Sequence, residues 1–144
     1  MHHISKNAIV PYSASQMYQL VNQVDAYPEF LNWCSDASIL KQTEAQIIAS
    51  VKINKGALKQ SFTTVNTLTP NQRIDMRLKK GPFKQLSGAW LFTALNDHAC
   101  KVSLELDFNF SSKIVDMAIS PIFTSIANSQ LDAFVSRARK IYTP

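Results

Sequence analysis

The ten residues KVSLELDFNF, numbered 101–110, alternate between polar and apolar side chains without interruption. Because successive side chains of a strand point to opposite faces of a sheet, this pattern predicts a β-strand with one buried and one solvated face. Immediately afterwards, apolar residues recur every three or four positions, which is typical of a helix that packs against a large surface. Residues 101–142 therefore predict a sheet covered by a long C-terminal helix.

The C-terminal helix is expected to begin at a cap formed by Ser111 or Ser112 and to run to about Tyr142. Pro121 lacks a backbone N–H and its ring clashes with the preceding turn, so we expect it to kink or break the helix. The apolar stripe that faces the sheet consists of Ile119, Ile122, Phe123, Ile126, Ala127, Phe134, Val135, Ala138 and Ile141.

Upstream of residue 101, one short helical region interrupts the strand patterns. Residues 4–10 predict a strand, and Ser13 followed three positions later by Gln16 is typical of a capping box, here opening a helix that ends near Val24. From about residue 38 to residue 110, short segments of period two predict about six antiparallel strands. The fold class is therefore α+β, a curved antiparallel sheet of about seven strands wrapped around the C-terminal helix, in a single domain over residues 1–144.

The composition is that of an ordinary globular protein, with 46% hydrophobic and 17% charged residues, and excludes a disordered chain. No apolar run approaches the roughly 20 residues of a membrane span, and no signal peptide opens the chain, so we expect no transmembrane segment and a cytoplasmic location. Cys34 and Cys100 lie far apart without histidines at metal-ligand spacing. They are expected to be buried free thiols, and no metal site is predicted.

No residue pattern predicts catalysis. His2 and His3 lie at the terminus and His98 lies in a predicted polar turn, so none has an evident acid–base partner. Cys34 is a candidate nucleophile, but packing is the more common role of a cysteine without a partner. We therefore expect a protein that is not an enzyme, with no catalytic residues and no required cofactor.

Three local motifs carry a resemblance to a known family. They are VPYS at residues 10–13, YPEFLNWC at residues 27–34, and GPF at residues 81–83 followed by LSGAWLF at residues 86–92. Together with the order of elements, they resemble the START-like, helix-grip superfamily, in the branch of the coenzyme Q-binding proteins and the bacterial ribosome association toxins. The resemblance covers nearly the whole chain. Asn32 departs from it, because the family usually places a second proline before the Trp33–Cys34 pair.

The resemblance implies a cavity between the sheet and the C-terminal helix that holds a hydrophobic molecule. The expected ligand is ubiquinone or a related isoprenoid quinone or lipid, and the implied role is support of respiration. The alternative is a toxin that binds the large ribosomal subunit, blocks association of the subunits and inhibits translation initiation. The net charge of +5 favours anionic partners such as RNA or lipid head groups, so peripheral contact with a membrane is a further expectation.

Large apolar residues on the predicted facing surfaces are the candidates for ligand binding. Periodicity alone favours a packed core, since aromatic and Met stripes mostly fill cores, whereas the family resemblance favours a cavity. The segment from Tyr27 to Cys34 is a candidate lid, with a packed turn as the alternative. The candidate ligand-binding residues are Tyr27, Phe30, Trp33, Met76, Trp90, Phe92, Leu106, Phe108, Phe110, Met117, Ile122 and Phe123.

A row of basic residues on the outward face of one predicted strand and the following turn is the candidate contact surface for the ribosome or another anion. Such a row is more often only a solvated face. No aromatic residues are interleaved for base stacking, so the predicted contact is with a phosphate backbone or with protein. These residues are Arg73, Arg77, Lys79, Lys80 and Lys84.

Overall fold

The computed structural model describes residues 1–142. The expected domain over residues 1–144 therefore includes two residues that lie outside the described part. The strands are β1 (His2–Val10), β2 (Cys34–Gln42), β3 (Gln46–Lys55), β4 (Leu58–Thr69), β5 (Arg73–Lys80), β6 (Phe83–Asn96) and β7 (Ala99–Phe110). The helices are α1 (Ala14–Asn22), a 3-10 helix (Val24–Glu29) and α2 (Lys113–Tyr142).

The seven strands form one sheet in the order β1-β7-β6-β5-β4-β3-β2, and each neighbouring pair is antiparallel. All strands from β2 to β7 are consecutive hairpin neighbours, and β1 closes the sheet beside β7. The predicted α+β fold with a curved sheet and a long C-terminal helix is confirmed. None of the helices in the described part is long and apolar enough to cross a membrane.

Polar and apolar side chains alternate along β7, and the apolar ones form part of the core. Val102, Leu104 and Phe108 are almost fully buried on the concave face of the sheet, against α2, while Lys101 and its polar neighbours lie on the convex face. β1 pairs with β7 over its full length, from His2 opposite Phe108 to Val10 opposite Cys100. The N-terminal strand is thereby placed next to the start of α2.

The predicted capping box of α1 is confirmed. The Gln16 backbone N–H donates to Ser13 Oγ, and the Ser13 backbone N–H donates to the Gln16 side chain. The helix ends at Asn22 rather than near Val24, because Gln23 leaves the helical region with φ −80° and ψ 64°. The chain then continues from Val24 as the 3-10 helix.

The expected break of α2 at Pro121 does not occur, since one helix runs from Lys113 to Tyr142. Proline removes only the hydrogen bond to the carbonyl of Met117, four residues earlier. Both residues lie on the exposed side of α2, where water reaches that carbonyl. Phe123 and Phe134, which follow the proline, are buried and hold the helix against the sheet.

Gly88 in β6 allows β7 to approach closely. A Cβ atom at this position would lie 2.2 Å from the Glu105 carbonyl oxygen and 2.8 Å from Leu106 Cδ2. A backbone oxygen cannot move aside as the end of a side chain can, so any larger residue must displace a central strand pair.

We therefore expect Gly88→Ala to destabilise the protein by about 2–3 kcal/mol, the upper part of the usual range for overpacking. Ser87→Ala is the matched control, because it changes the exposed neighbour on the same strand. Urea unfolding of both variants measures the difference. Equal midpoints would show that the sheet accommodates the extra methyl group.

Asp116, in the first turn of α2, links three elements. Its carboxylate accepts hydrogen bonds from the His2 ring at 2.9 Å, from the Phe110 backbone N–H at 3.1 Å and from the Ser120 hydroxyl at 2.9 Å. The hydrogen bond from His2, followed by that from Phe110, lowers the pKa of Asp116 to about 2. Since the pKa of an unfolded aspartate is about 3.9, the ionised carboxylate stabilises the folded state above that pH.

This stabilisation is expected to be lost as the pH falls from about 4 to about 2, through the pKa of the folded state. Asp116→Asn should remove that part of the pH dependence, and Asp97→Asn, in the turn between β6 and β7, serves as the control. The free energy of unfolding, measured by urea titration from pH 5 to pH 2, tests this. An acid limb of unchanged steepness in Asp116→Asn would contradict it.

Candidate functional site

A cavity of about 110 Å³ lies between the concave face of the sheet and α2. The 3-10 helix and the segment that follows it close one side. The lining is almost entirely apolar and contains no charged side chain, histidine or cysteine among the described residues. The volume is of the order of the roughly 150 Å³ apolar cavity that binds one benzene ring. A ring or a short length of alkyl chain therefore fits within it.

Half of the candidate ligand-binding residues line this cavity. They are Tyr27, Trp33, Met76, Trp90, Leu106 and Phe123. The structure places the other six elsewhere, so the predicted set and the lining overlap only in part.

Four of the six remaining candidates are packed in the core instead. Phe108 and Phe110 are buried around Phe83 and Phe123, and the Phe92 ring packs edge-on against Tyr18 at 5.8 Å between centroids. The Phe30 ring lies 5.2 Å from that of Phe134. These four residues are therefore not part of the cavity lining, because each packs against neighbouring aromatic rings.

The last two candidates lie on α2 outside the lining. Ile122 is half-buried and near Gly56, whereas Met117 is 72% exposed and does not line the cavity. Met117 precedes Phe123 by six residues, which places it about 120° away around the helix. The periodicity identified an apolar stripe without identifying which part of it faces the cavity.

Eleven lining residues were not predicted. Most are ordinary core positions, but Thr64 and Asn66 had a recognisable signal, because they interrupt the apolar phase of β4 between Phe62 and Leu68. A polar residue on the buried face of a strand needs a partner and is a candidate for a site. The eleven are Val24, Ala49, Val51, Phe62, Thr64, Asn66, Leu86, Leu104, Ile126, Ala127 and Gln130.

The indole N–H, the hydroxyls and the amide oxygens of the cavity are bonded to one another or to the backbone. The indole N–H of Trp33 donates to Gln130 Oε1 at 3.2 Å, and the Thr64 hydroxyl donates to Asn66 Oδ1 at 2.9 Å. The Tyr27 hydroxyl donates to the backbone carbonyl of Val21. Burial raises the pKa of Tyr27, which keeps its hydroxyl protonated. The cavity is therefore electrically neutral.

The candidate lid, from Tyr27 to Cys34, packs tightly on α2. Phe134 contacts the rings of both Tyr27 and Phe30, and the Arg137 guanidinium lies 4.9 Å from the centre of the Phe30 ring. Leu31 is 2% exposed. Of this segment, Tyr27 and Trp33 line the cavity.

Both cysteines are buried free thiols, as predicted. Burial is the main cause that raises the pKa of Cys34, and it also raises the pKa of Cys100. The Cys34 thiol donates to the carbonyl of Asp36 at 3.3 Å. A protonated thiol is a poor nucleophile, so neither residue has the environment of a reactive cysteine.

The candidate basic residues lie on the opposite, convex side of the sheet. Arg73 is paired with Asp75 at 2.8 Å, whereas the other four are exposed and have no carboxylate within 4.0 Å in residues 1–142. A register shift between β4 and β5 places Lys80 opposite Thr63, on the same side as Arg77. We call Arg77, Lys79, Lys80 and Lys84 the basic surface.

Comparison with known proteins gives three findings. The family described as polyketide cyclase/dehydrase and lipid transport matches residues 10–135. The ribosome association toxin RatA of Vibrio cholerae is 46% identical over 142 residues, covering 99% of each chain. The mitochondrial coenzyme Q-binding protein COQ10 of Dictyostelium discoideum is 23% identical, over 91% of this chain and 66% of that protein.

A solved structure supports the same fold. The START superfamily protein of Mycobacterium smegmatis superposes with a TM-score of 0.82 at 17% sequence identity, covering 98% of this chain and 99% of that one. At this level of identity the likeness concerns the fold.

Proposed function

Since the chain belongs to the START-like family of polyketide cyclases, dehydrases and lipid-transport proteins, we propose that it acts within this family by associating with the ribosome. The observation that carries the proposal is the basic surface, with four exposed cations that form no ion pair with a carboxylate in the described part of the chain. Ribosomal RNA supplies phosphates to such a surface, and binding gains free energy from the counterions it releases. The name of the Vibrio cholerae relative, at 46% identity, supports the same role.

The mechanism we propose is occlusion. A domain bound to the large subunit on the side that meets the small subunit blocks their association, and translation initiation stops for that reason. Occlusion needs no catalytic group, which agrees with a neutral cavity that lacks histidine, cysteine and carboxylate side chains in its described lining. The protein then acts in the cytoplasm, where ribosomes are.

Replacing Arg77, Lys79, Lys80 and Lys84 together by glutamate should weaken ribosome binding roughly tenfold or more at 0.1 M salt, because four phosphate contacts are lost. The dependence of log K on log salt concentration should also become shallower by about 3. Cosedimentation with purified large subunits over a salt series measures both quantities.

The control carries the same change in net charge at scattered exposed positions, namely Lys6, Lys41, Arg139 and Lys140, each replaced by glutamate. It should retain most of the affinity. Equal losses in the two variants would mean that only net charge matters and that the basic surface is not the docking site.

A second function, favoured by the cavity, is binding of a hydrophobic molecule. Burial of each CH₂ group contributes roughly 0.8 kcal/mol, so even a ring and a few methylenes bind measurably. An isoprenoid quinone agrees with the name of the Dictyostelium discoideum relative. With a volume of about 110 Å³, the cavity accommodates the ring or one part of the chain at a time.

Ala127→Leu should reduce ligand retention severalfold, because the added side chain occupies the cavity from α2. Ala118→Leu is the matched control, since it adds the same atoms to the exposed side of the same helix. Organic extraction of each purified protein, followed by mass spectrometry, measures retained lipid per mole of protein. Equal amounts from the two variants, or none from the wild type, would contradict ligand binding in this cavity.

A further inference from the structure

Two primary amides line the cavity from opposite walls. Asn66 projects from β4 and is only 8% exposed, and Gln130 projects from α2. They are the only carboxamide side chains among the described lining residues. Each carries a carbonyl oxygen, which accepts, and an NH₂ group, which donates.

The oxygens of both amides already have partners. An indole N–H can only donate, so its contact with Gln130 identifies the oxygen as the atom facing Trp33, at 3.2 Å. The oxygen of Asn66 accepts from the hydroxyl of Thr64 at 2.9 Å. The Tyr27 hydroxyl also has a partner, because it donates to the backbone carbonyl of Val21.

The nitrogens of both amides have no partners. Neither Asn66 Nδ2 nor Gln130 Nε2 makes a hydrogen bond within residues 1–142. The N–H donors of the cavity that have no partner are therefore on these two amide nitrogens. Neither nitrogen is among the fully enclosed polar atoms that lack a partner, so each keeps accessible surface where a ligand that supplies an acceptor can pair with it.

From this geometry we propose that Asn66 and Gln130 bind an acceptor oxygen, a ketone-type carbonyl or an ether, on an otherwise apolar and neutral ligand. The inference rests on the second proposed function, ligand binding in the cavity, and specifies the chemical class that the cavity selects. A carboxylate is disfavoured because no cation lies in the described lining to offset its desolvation. An alcohol gains less than a ketone, because the amide oxygens that could accept its proton each already accept one hydrogen bond.

The test uses three probes of nearly equal size, acetophenone, ethylbenzene and 1-phenylethanol, which differ only in having a carbonyl, a methylene or a hydroxyl at one position. Dissociation constants are obtained from ¹⁵N–¹H spectra of the full chain. The measured quantity is the ratio of the acetophenone constant to the ethylbenzene constant in each protein. Comparing this ratio between wild type and variants cancels the difference in hydration of the probes.

Asn66→Leu and Gln130→Met each remove the donor while keeping a similar volume. Each should raise the ratio roughly fivefold, as expected for one net hydrogen bond, with little change in ethylbenzene affinity. Gln130 is half-buried, so its variant tests the proposal even where Asn66→Leu unfolds. Met76→Leu, another change in the lining, should leave the ratio unchanged.

Trp33→Phe gives an independent readout. Loss of the indole N–H releases the Gln130 oxygen as an acceptor, so 1-phenylethanol should gain affinity relative to acetophenone. Unchanged ratios in both amide variants, with ethylbenzene still bound, would overturn this inference and leave ligand binding intact. Failure of all three probes to bind the wild type would overturn ligand binding and this inference together.

Discussion

Two phenylalanines of α2 determine how that helix rests on the sheet. Phe123 packs at 4.7 Å from Phe108 and 4.9 Å from Phe83, and Phe134 packs at 5.2 Å from Trp90. Eleven residues separate the two rings, which corresponds to about 16 Å along the helix. Between them the helix presents Ile126, Ala127 and Gln130 to the cavity. The two rings thus hold α2 away from the sheet. Ala127, which lies between them, is too small to fill the cavity that results.

The fold follows from local patterns that agree with one another. The alternation of β7, the capping box at Ser13 and the apolar stripe of α2 each predict an element, and together these elements can bury their apolar faces in only a few arrangements. The exceptions are local. The expected break at Pro121 does not occur, because the packing of Phe123 and Phe134 outweighs one lost hydrogen bond.

The cavity is less predictable because a packed core and a hollow core share the same pattern of apolar residues. Phe108 and Leu106 occupy equivalent phases of β7, yet only Leu106 lines the cavity. Whether a β7 residue lines the cavity depends on the α2 residue that lies opposite. The sequence of β7 alone does not predict which α2 residue that is. Polar residues in an apolar phase, such as Thr64 and Asn66, are the better signal. Lys80 is an example of a residue whose position the strand period predicts wrongly. A register shift between β4 and β5 places it on the same side of the sheet as Arg77.

The two proposed functions use opposite faces of one sheet. Met76 lines the cavity and its neighbour Arg77 belongs to the basic surface, because adjacent side chains on β5 point in opposite directions. Neither function needs a side chain of the other. The described lining of the cavity holds no histidine, cysteine or carboxylate side chain, and its phenol, Tyr27, donates to the Val21 carbonyl. The fold supplies the space between sheet and helix. The side chains of its walls and of the outer surface determine which function the protein has.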